Sequence, residues 1–286
     1  MSNLLREGSI SVGSDVPAYL PALLADRRIT LDHIKIGLWQ GIEGARRELA
    51  ALPPALRALP VLLHGDNQAA GQGPIPAQEL RALADLVEQT RTPWFSVHIE
   101  YRTPAELEAF RAGGLPLTRG QAVERIAARV EQLKQALAVP VLLENVPPCP
   151  ADAPDMVADP EFIAEVLVEA DCDMLLDLSH ARLSGDRFGL PYEDYLLRLP
   201  LGRVVEVHVS GPRVGRHRRA IWGGPFSGHR RRVLWDAHEP MRKPDYDLLG
   251  WLLQRHRPRA ITLEYWKDPA CHAAQLNRLR RMLQFR

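Results

Sequence analysis

The chain has 286 residues, 46% hydrophobic and 25% charged, with a formal net charge of +1. It is long enough to bury a large core, and its near-neutral balance excludes a global field that recruits nucleic acid or membrane, so any electrostatic preference is local. The opening MSNLLREGSISVGSD lacks the apolar core of a signal peptide and no uncharged apolar run is long enough to span a bilayer, so a cytoplasmic location is expected. Cys149, Cys172 and Cys271 are few and widely spaced, which gives neither a disulfide framework nor a CxxC metal knuckle.

In chain order, short β-like runs alternate with longer helical patterns. The expected strands are Ser9 to Gly13, His33 to Gly37, Pro60 to His64, Trp94 to His98, Val141 to Glu144, Met174 to Asp177, Val204 to His208 and Ala260 to Glu264. RALADLVEQT, AVERIAARVEQLKQALA and PEFIAEVLVEA carry apolar residues at helical spacing. This alternation predicts βαβ units and a parallel sheet. Eight strands with intervening helices predict one α/β domain over residues 1–286, a single (β/α)₈ barrel, ahead of a doubly wound open sheet. NVPPCPADAPDM reads as a long loop between a strand and a helix. GPRVGRHRRAIWGGPFSGHRRRVLW reads as an irregular loop over the barrel mouth: a lid, a clamp or simply a solvated loop. In the clamp reading Arg213, Arg216 and Trp222 contact substrate, because arginine suits bidentate contacts with carboxylate or phosphate.

The strand ends carry the chemistry. VLLHGD ends with His64, FSVHIEY with His98, VLLENV with Glu144, LLDLSH with Asp177 and His180, and VVEVHV with Glu206 and His208. DAH then supplies Asp236 and His238, and ITLEY supplies Glu264. One strand-end histidine is ordinarily a core residue, and DxxH or DxH alone is weak. Together, at successive strand ends, they predict a metal centre at the C-terminal face, where barrel active sites lie. Imidazole with carboxylate suits iron, zinc or manganese. Nine donors (His64, His98, Glu144, Asp177, His180, His208, Asp236, His238 and Glu264) exceed the roughly three or four that serve one catalytic ion. Two or three ions are therefore expected. Glu206 is the least settled member, with an inward position from which it orients a ligand histidine. His33, His217, His229, His256 and His272 have no metal partner nearby in sequence.

The order His, His, Glu, Asp-x-x-His, His, Asp-x-His, Glu resembles the trinuclear site of endonuclease IV enzymes, within the xylose isomerase-like TIM barrels. The words LLENV, LPLGRVVEVHVSG, DAHEP and LEYW resemble the multinuclear non-heme iron-dependent oxidative enzymes, the family of the methanobactin-biosynthesis maturases. The resemblance covers roughly residues 60 to 268. SISVGSD and HIKIGLWQ lack the Glu-rich segment of that family, and His180 stands where many members carry asparagine. The oxidative resemblance implies iron, dioxygen, a ribosomally made peptide as substrate and a partner protein that delivers it. The nuclease resemblance implies zinc or manganese and a nucleic-acid phosphodiester. A sugar isomerase or epimerase is the third alternative. Glu144, Glu264 and Asp236 are the expected catalytic carboxylates.

Overall fold

Alternation along short strands sorts the side chains into two sets. In His33–Gly37, Ile34 and Ile36 belong to the cluster between sheet and helices, so His33 and Lys35 face the other way, into the barrel. The same rule turns Leu63 outward and Leu62 and His64 inward. The chain is seen in a computed structural model that describes residues 5, 8–111, 117–148, 156–216 and 232–284.

The strands are β1 (Ser11–Ser14), β2 (His33–Gly37), β3 (Val61–His64), β4 (Phe95–His98), β5 (Val141–Glu144), β6 (Asp173–Asp177), β7 (Val204–Val209), β8 (Gly211–Arg216), β9 (Arg232–Glu239) and β10 (Ala260–Leu263). Eight of them close in the order β1-β10-β7-β6-β5-β4-β3-β2, every neighbouring pair parallel. Helices follow the strands around the outside, so the expected (β/α)₈ barrel is the fold. The three helices expected from periodicity are Ala77–Thr90, Arg119–Ala136 and Pro160–Glu169. Thr118 and Gln121 close a capping box at the start of the second. Asp177 caps Leu178–Phe188, its Oδ1 accepting from the His180 amide at 2.7 Å.

Inside the barrel the layers change character with height. Leu62, Trp94, Leu142, Leu175 and Ala260 pack with Leu5 at the base. Above them lie neutral polar groups: His33 lies 2.7 Å from Ser11 Oγ and 3.0 Å from Thr262 Oγ1. Burial pushes the His33 imidazole down to about 4, so it sits in this layer uncharged. Register then lifts the charged layer to one height, with His98 beside Glu144, Asp177 beside His208 and His208 beside Thr262.

One expectation is corrected. The Arg-rich segment is not irregular along its whole length: β8 and β9 pair antiparallel, Arg213 opposite Trp235 and Val214 opposite Leu234. Gly211 permits the close approach, because a Cβ there would lie 2.7 Å from the Glu239 carbonyl oxygen. Trp222, His217 and His229 fall outside the described residues. Cys172 and Cys271 are free thiols, and Cys149 also lies outside the described residues.

Gly13 faces the His33 ring, which occupies the space a Cβ would need. Gly13→Ala therefore overpacks the barrel interior and is expected to lower stability by about 1–3 kcal/mol. A lower urea midpoint with an unchanged m-value is the expected reading. An unchanged midpoint would show that the interior yields at this level.

Candidate metal centre

Each centre histidine of the barrel wall has one ring nitrogen anchored away from the middle. His64 Nδ1 lies 2.9 Å from Ser96 Oγ, and His98 Nδ1 lies 3.2 Å from Asp66 Oδ1. His180 Nδ1 donates to the Asn145 carbonyl at 2.8 Å, and His208 Nε2 donates to Glu206 Oε1 at 3.2 Å. Such anchors fix tautomer and ring angle, and leave the second nitrogen for another partner. Asn145 also exchanges two hydrogen bonds with the Asp177 backbone, at 2.9 and 3.0 Å, which ties the ends of β5 and β6 together. Glu206 is buried and oriented: it accepts from Thr262 at 2.7 Å and from Trp94 Nε1 at 2.7 Å.

The remaining atoms converge. Glu144 presents Oε2 to His64 Nε2 at 3.2 Å and to His98 Nε2 at 3.5 Å. Its Oε1 faces His180 Nδ1 at 3.4 Å and His208 Nδ1 at 3.7 Å. His64, His98 and Glu144 form one group whose donor atoms lie within 4.8 Å of one another, as metal ligands do, and Glu144, Asp177 and His208 form a second. A third gathering joins Asp236 Oδ2 to His180 Nε2 at 3.2 Å and His238 Nε2 at 3.4 Å. Glu264 bridges the last two, with Oε1 3.2 Å from His208 Nδ1 and Oε2 3.4 Å from His238 Nδ1. All nine predicted donors therefore meet at one rim. His238 holds φ at 44°, a left-handed conformation uncommon for a residue with a side chain and typical of functional sites.

The electrostatics suit a cation. Among the described residues, Glu144 Oε2, Asp177 Oδ2, Asp236 Oδ1, His208 Nδ1 and His238 Nδ1 are buried without a hydrogen bond, whereas nearly all buried polar atoms have one. Burial, reinforced by Glu264, Glu144 and Asp236, pushes the Asp177 carboxyl up to about 6 against the pull of His180. Burial works against a charged His180, but Asp177, Asp236 and Glu144 raise it to about 10. Burial holds the His64 imidazole well below its ordinary value, which leaves it neutral and ligand-ready. The carboxylates draw positive charge, and metal ions answer that demand with better geometry than protons.

Several site residues escaped the sequence reading, among them Lys35, Asp15, Trp39, Asp66, Ser96 and Asn145. Lys35 Nζ pairs with Asp15 Oδ1 at 3.0 Å and, more closely, with Glu264 Oε1. Trp39 stands over His64 and His98, ring centroids 5.2 and 5.8 Å away. Trp266 stands 4.7 Å from His238. Lys35, Asp15 and the two tryptophans, with Glu144, Asp236 and Glu264, line a cavity of about 720 Å³ open to the barrel mouth. Arg213 is exposed on the ribbon and does not line it, and Arg216 ends β8. Tyr265 is buried against His272 rather than lining the cavity, with ring centroids 5.9 Å apart.

This arrangement is a closed α/β barrel of the xylose isomerase-like fold with a candidate metal centre at its C-terminal rim. Residues 21–282 match the RiPP precursor modification enzymes MbnB/TglH/ChrH, and the chain belongs to that family. It is similar to the UPF0276 protein of Anaeromyxobacter sp. (strain Fw109-5), 31% identical over 58% of this chain and 58% of that one, so under two thirds of that relative's length is matched. The fold is similar to endonuclease IV from Thermus thermophilus, with TM-score 0.58 and 17% identity, over 96% of this chain and 100% of that one. It is also similar to a xylose isomerase-like TIM barrel protein from Mycobacterium smegmatis in complex with magnesium, with TM-score 0.51, 14% identity, and coverage of 96% and 95%. No helix among the described residues is long and apolar enough to cross a membrane.

Trp94→Phe keeps an aromatic ring but removes the donor that serves buried Glu206. The expected cost is about 1–3 kcal/mol, the penalty for stranding one buried polar partner. Chemical denaturation of the variant checks this, and equal stability would mean that Glu206 is satisfied without the indole.

Proposed function

We propose that this chain is a multinuclear, iron-dependent enzyme that uses dioxygen to oxidise a side chain of a ribosomally made peptide, in the cytoplasm and as one domain over residues 1–286. Membership of the RiPP precursor modification family supports the substrate class. The observation that carries the reading is Glu144, whose Oε2 faces His64 and His98 while its Oε1 faces His208, as a carboxylate shared between ions does.

In this reading His64, His98 and Glu144 hold one ion, and Glu144, Asp177 and His208, with Glu264 beside them, hold a second. Asp236, His180 and His238 hold a third where three are bound. Iron, when bound by these residues, would supply one-electron chemistry with dioxygen. Glu144, Glu264 and Asp236 line the cavity and so meet the substrate as well as the ions. Trp39 and Trp266 give the peptide apolar walls. Arg213, Arg216 and Trp222 are assigned to gripping an acidic stretch of the peptide or of the partner protein that delivers it. The exposed place of Arg213 on the β8–β9 ribbon supports that role.

A second reading, a zinc- or manganese-dependent phosphodiesterase acting on nucleic acid, draws on the three-fold grouping of the donors. Two ions would then activate water and clamp the departing oxygen. Sugar isomerisation needs fewer donors than this rim brings together.

Anaerobically purified protein is expected to contain two or three irons per chain and to consume dioxygen only with a precursor peptide present. Zinc as the bound metal, with cleavage of an abasic duplex, would replace the oxidative reading with the hydrolytic one. One ion per chain would overturn both. Asp66→Ala removes the anchor of His98 Nδ1 and is expected to reduce metal affinity or turnover by roughly 10–100-fold. Elemental analysis after dialysis, alongside oxygen uptake, reads both effects.

A further inference from the structure

Lys35 is 2% exposed, on a strand that faces the barrel interior. A buried ammonium is stable only when paired, and Lys35 has two carboxylate partners, Asp15 and Glu264. Held between those two carboxylates, it stands in the barrel as an ammonium. The oxygen of Glu264 that Lys35 holds is Oε1, which is also the one 3.2 Å from His208 Nδ1. His208 Nδ1 is turned toward the centre because its other nitrogen is bound to Glu206. One oxygen therefore faces both a fixed cation and the Glu144–Asp177–His208 group. Glu264 is absent from that closely gathered group, although it lies beside His208.

Resting on the metal reading above, we propose that Lys35 is a resident cation of the centre. By holding Glu264 Oε1 it makes the position served by Glu144, Asp177 and His208 the weakest and most exchangeable of the metal positions. A carboxylate oxygen that accepts an ammonium donates less to a metal, and the ammonium repels an ion placed on the far side. His64 and His98 take their anchors from Ser96 and Asp66, not from Lys35. The effect is therefore graded: strongest where Glu264 serves, weakest at the pair farthest from it in the donor network. A loosely held ion with one protein oxygen withheld is also the one that keeps room for an incoming ligand.

The test is titration of chelator-stripped, full-length protein with zinc, which is redox-silent, against a competing chelator, with metal content measured after gel filtration. Wild type is expected to bind at least one ion tightly and one more weakly. Lys35→Met should tighten the weakest ion by at least about tenfold, equivalent to ~1.4 kcal/mol, and leave the tight ion unchanged. Asp15→Asn leaves the ammonium to Glu264 alone, and should loosen the same ion several-fold. A purely structural role for Lys35 would lower the melting temperature and leave the zinc constants as they were, which overturns the proposal. Weaker or uniformly altered zinc binding in Lys35→Met overturns it as well. If that variant does not fold, unchanged zinc binding in Asp15→Asn overturns it. Wild-type protein that binds no zinc, iron or manganese sinks the metal reading itself, a separate outcome from failure of the Lys35 role.

Discussion

Four carboxylates, on Glu144, Asp177, Glu206 and Glu264, are each 5% exposed or less in the upper half of this barrel. Ionised carboxylates in that position are costly unless something positive or hydrogen-bonding meets every one of them. The chain meets the demand in three ways. Glu206, deepest of the set, takes neutral donors from Trp94 and Thr262 and one imidazole. Glu264 takes the Lys35 ammonium. Glu144 and Asp177 are left with oxygens that no protein donor satisfies. Glu206 is thus framework, Glu144 and Asp177 keep oxygens free for a cation, and Glu264 is shared between Lys35 and the rim histidines. The layering beneath follows from the same constraint: the base is apolar, hydroxyl and imidazole fill the middle, and Glu206 enters at the level of Ala260 and Leu175 with three donors meeting it. His33, kept neutral by burial, makes that transition without adding charge to a crowded interior.

Much of this was legible because strand and ligand share one signal. Three apolar residues followed by a histidine or acid, as in VLLHGD and VLLENV, announce both a buried strand and the polar group at its end. The eight expected strands lie within about two residues of the observed ones, since barrel strands covered on both faces read as short apolar runs. Lys35 was hidden by the opposite circumstance. HIKIG alternates as strictly as any strand here, but its polar set is one histidine and one lysine, and a lysine in a strand ordinarily faces water. Only barrel closure, with β1 between β2 and β10, reveals that this face is interior and that Asp15 and Glu264 wait beside it. Ser96 and Asn145 were hidden because their role is set by a neighbouring strand's register rather than by their own segment. The β8–β9 ribbon was hidden because its two strands lie too far apart in sequence for a local hairpin pattern, even though WGGPFSG between them carries turn dipeptides.

The barrel does not choose the reaction. Folds of this type carry unrelated chemistries, and the choice lies in what surrounds the donors. Here the surroundings are two tryptophans. Trp39 and Trp266 are 54% and 47% exposed, each tilted against a histidine of the rim. Leaving two indoles half in water forfeits burial worth about 25 cal/mol per Å², and a bound chain with apolar side chains would recover it. A polyanionic backbone offers no such return, and among the described residues Arg213 lies exposed on the ribbon rather than in the cavity lining. The same indoles lie over the imidazoles of the first and third groups, so a peptide seated on them would shed water from both ends of the centre together. Such coupling of substrate seating to dehydration strengthens every electrostatic interaction inside the centre and keeps bulk water from side reactions, whichever chemistry the bound ions supply.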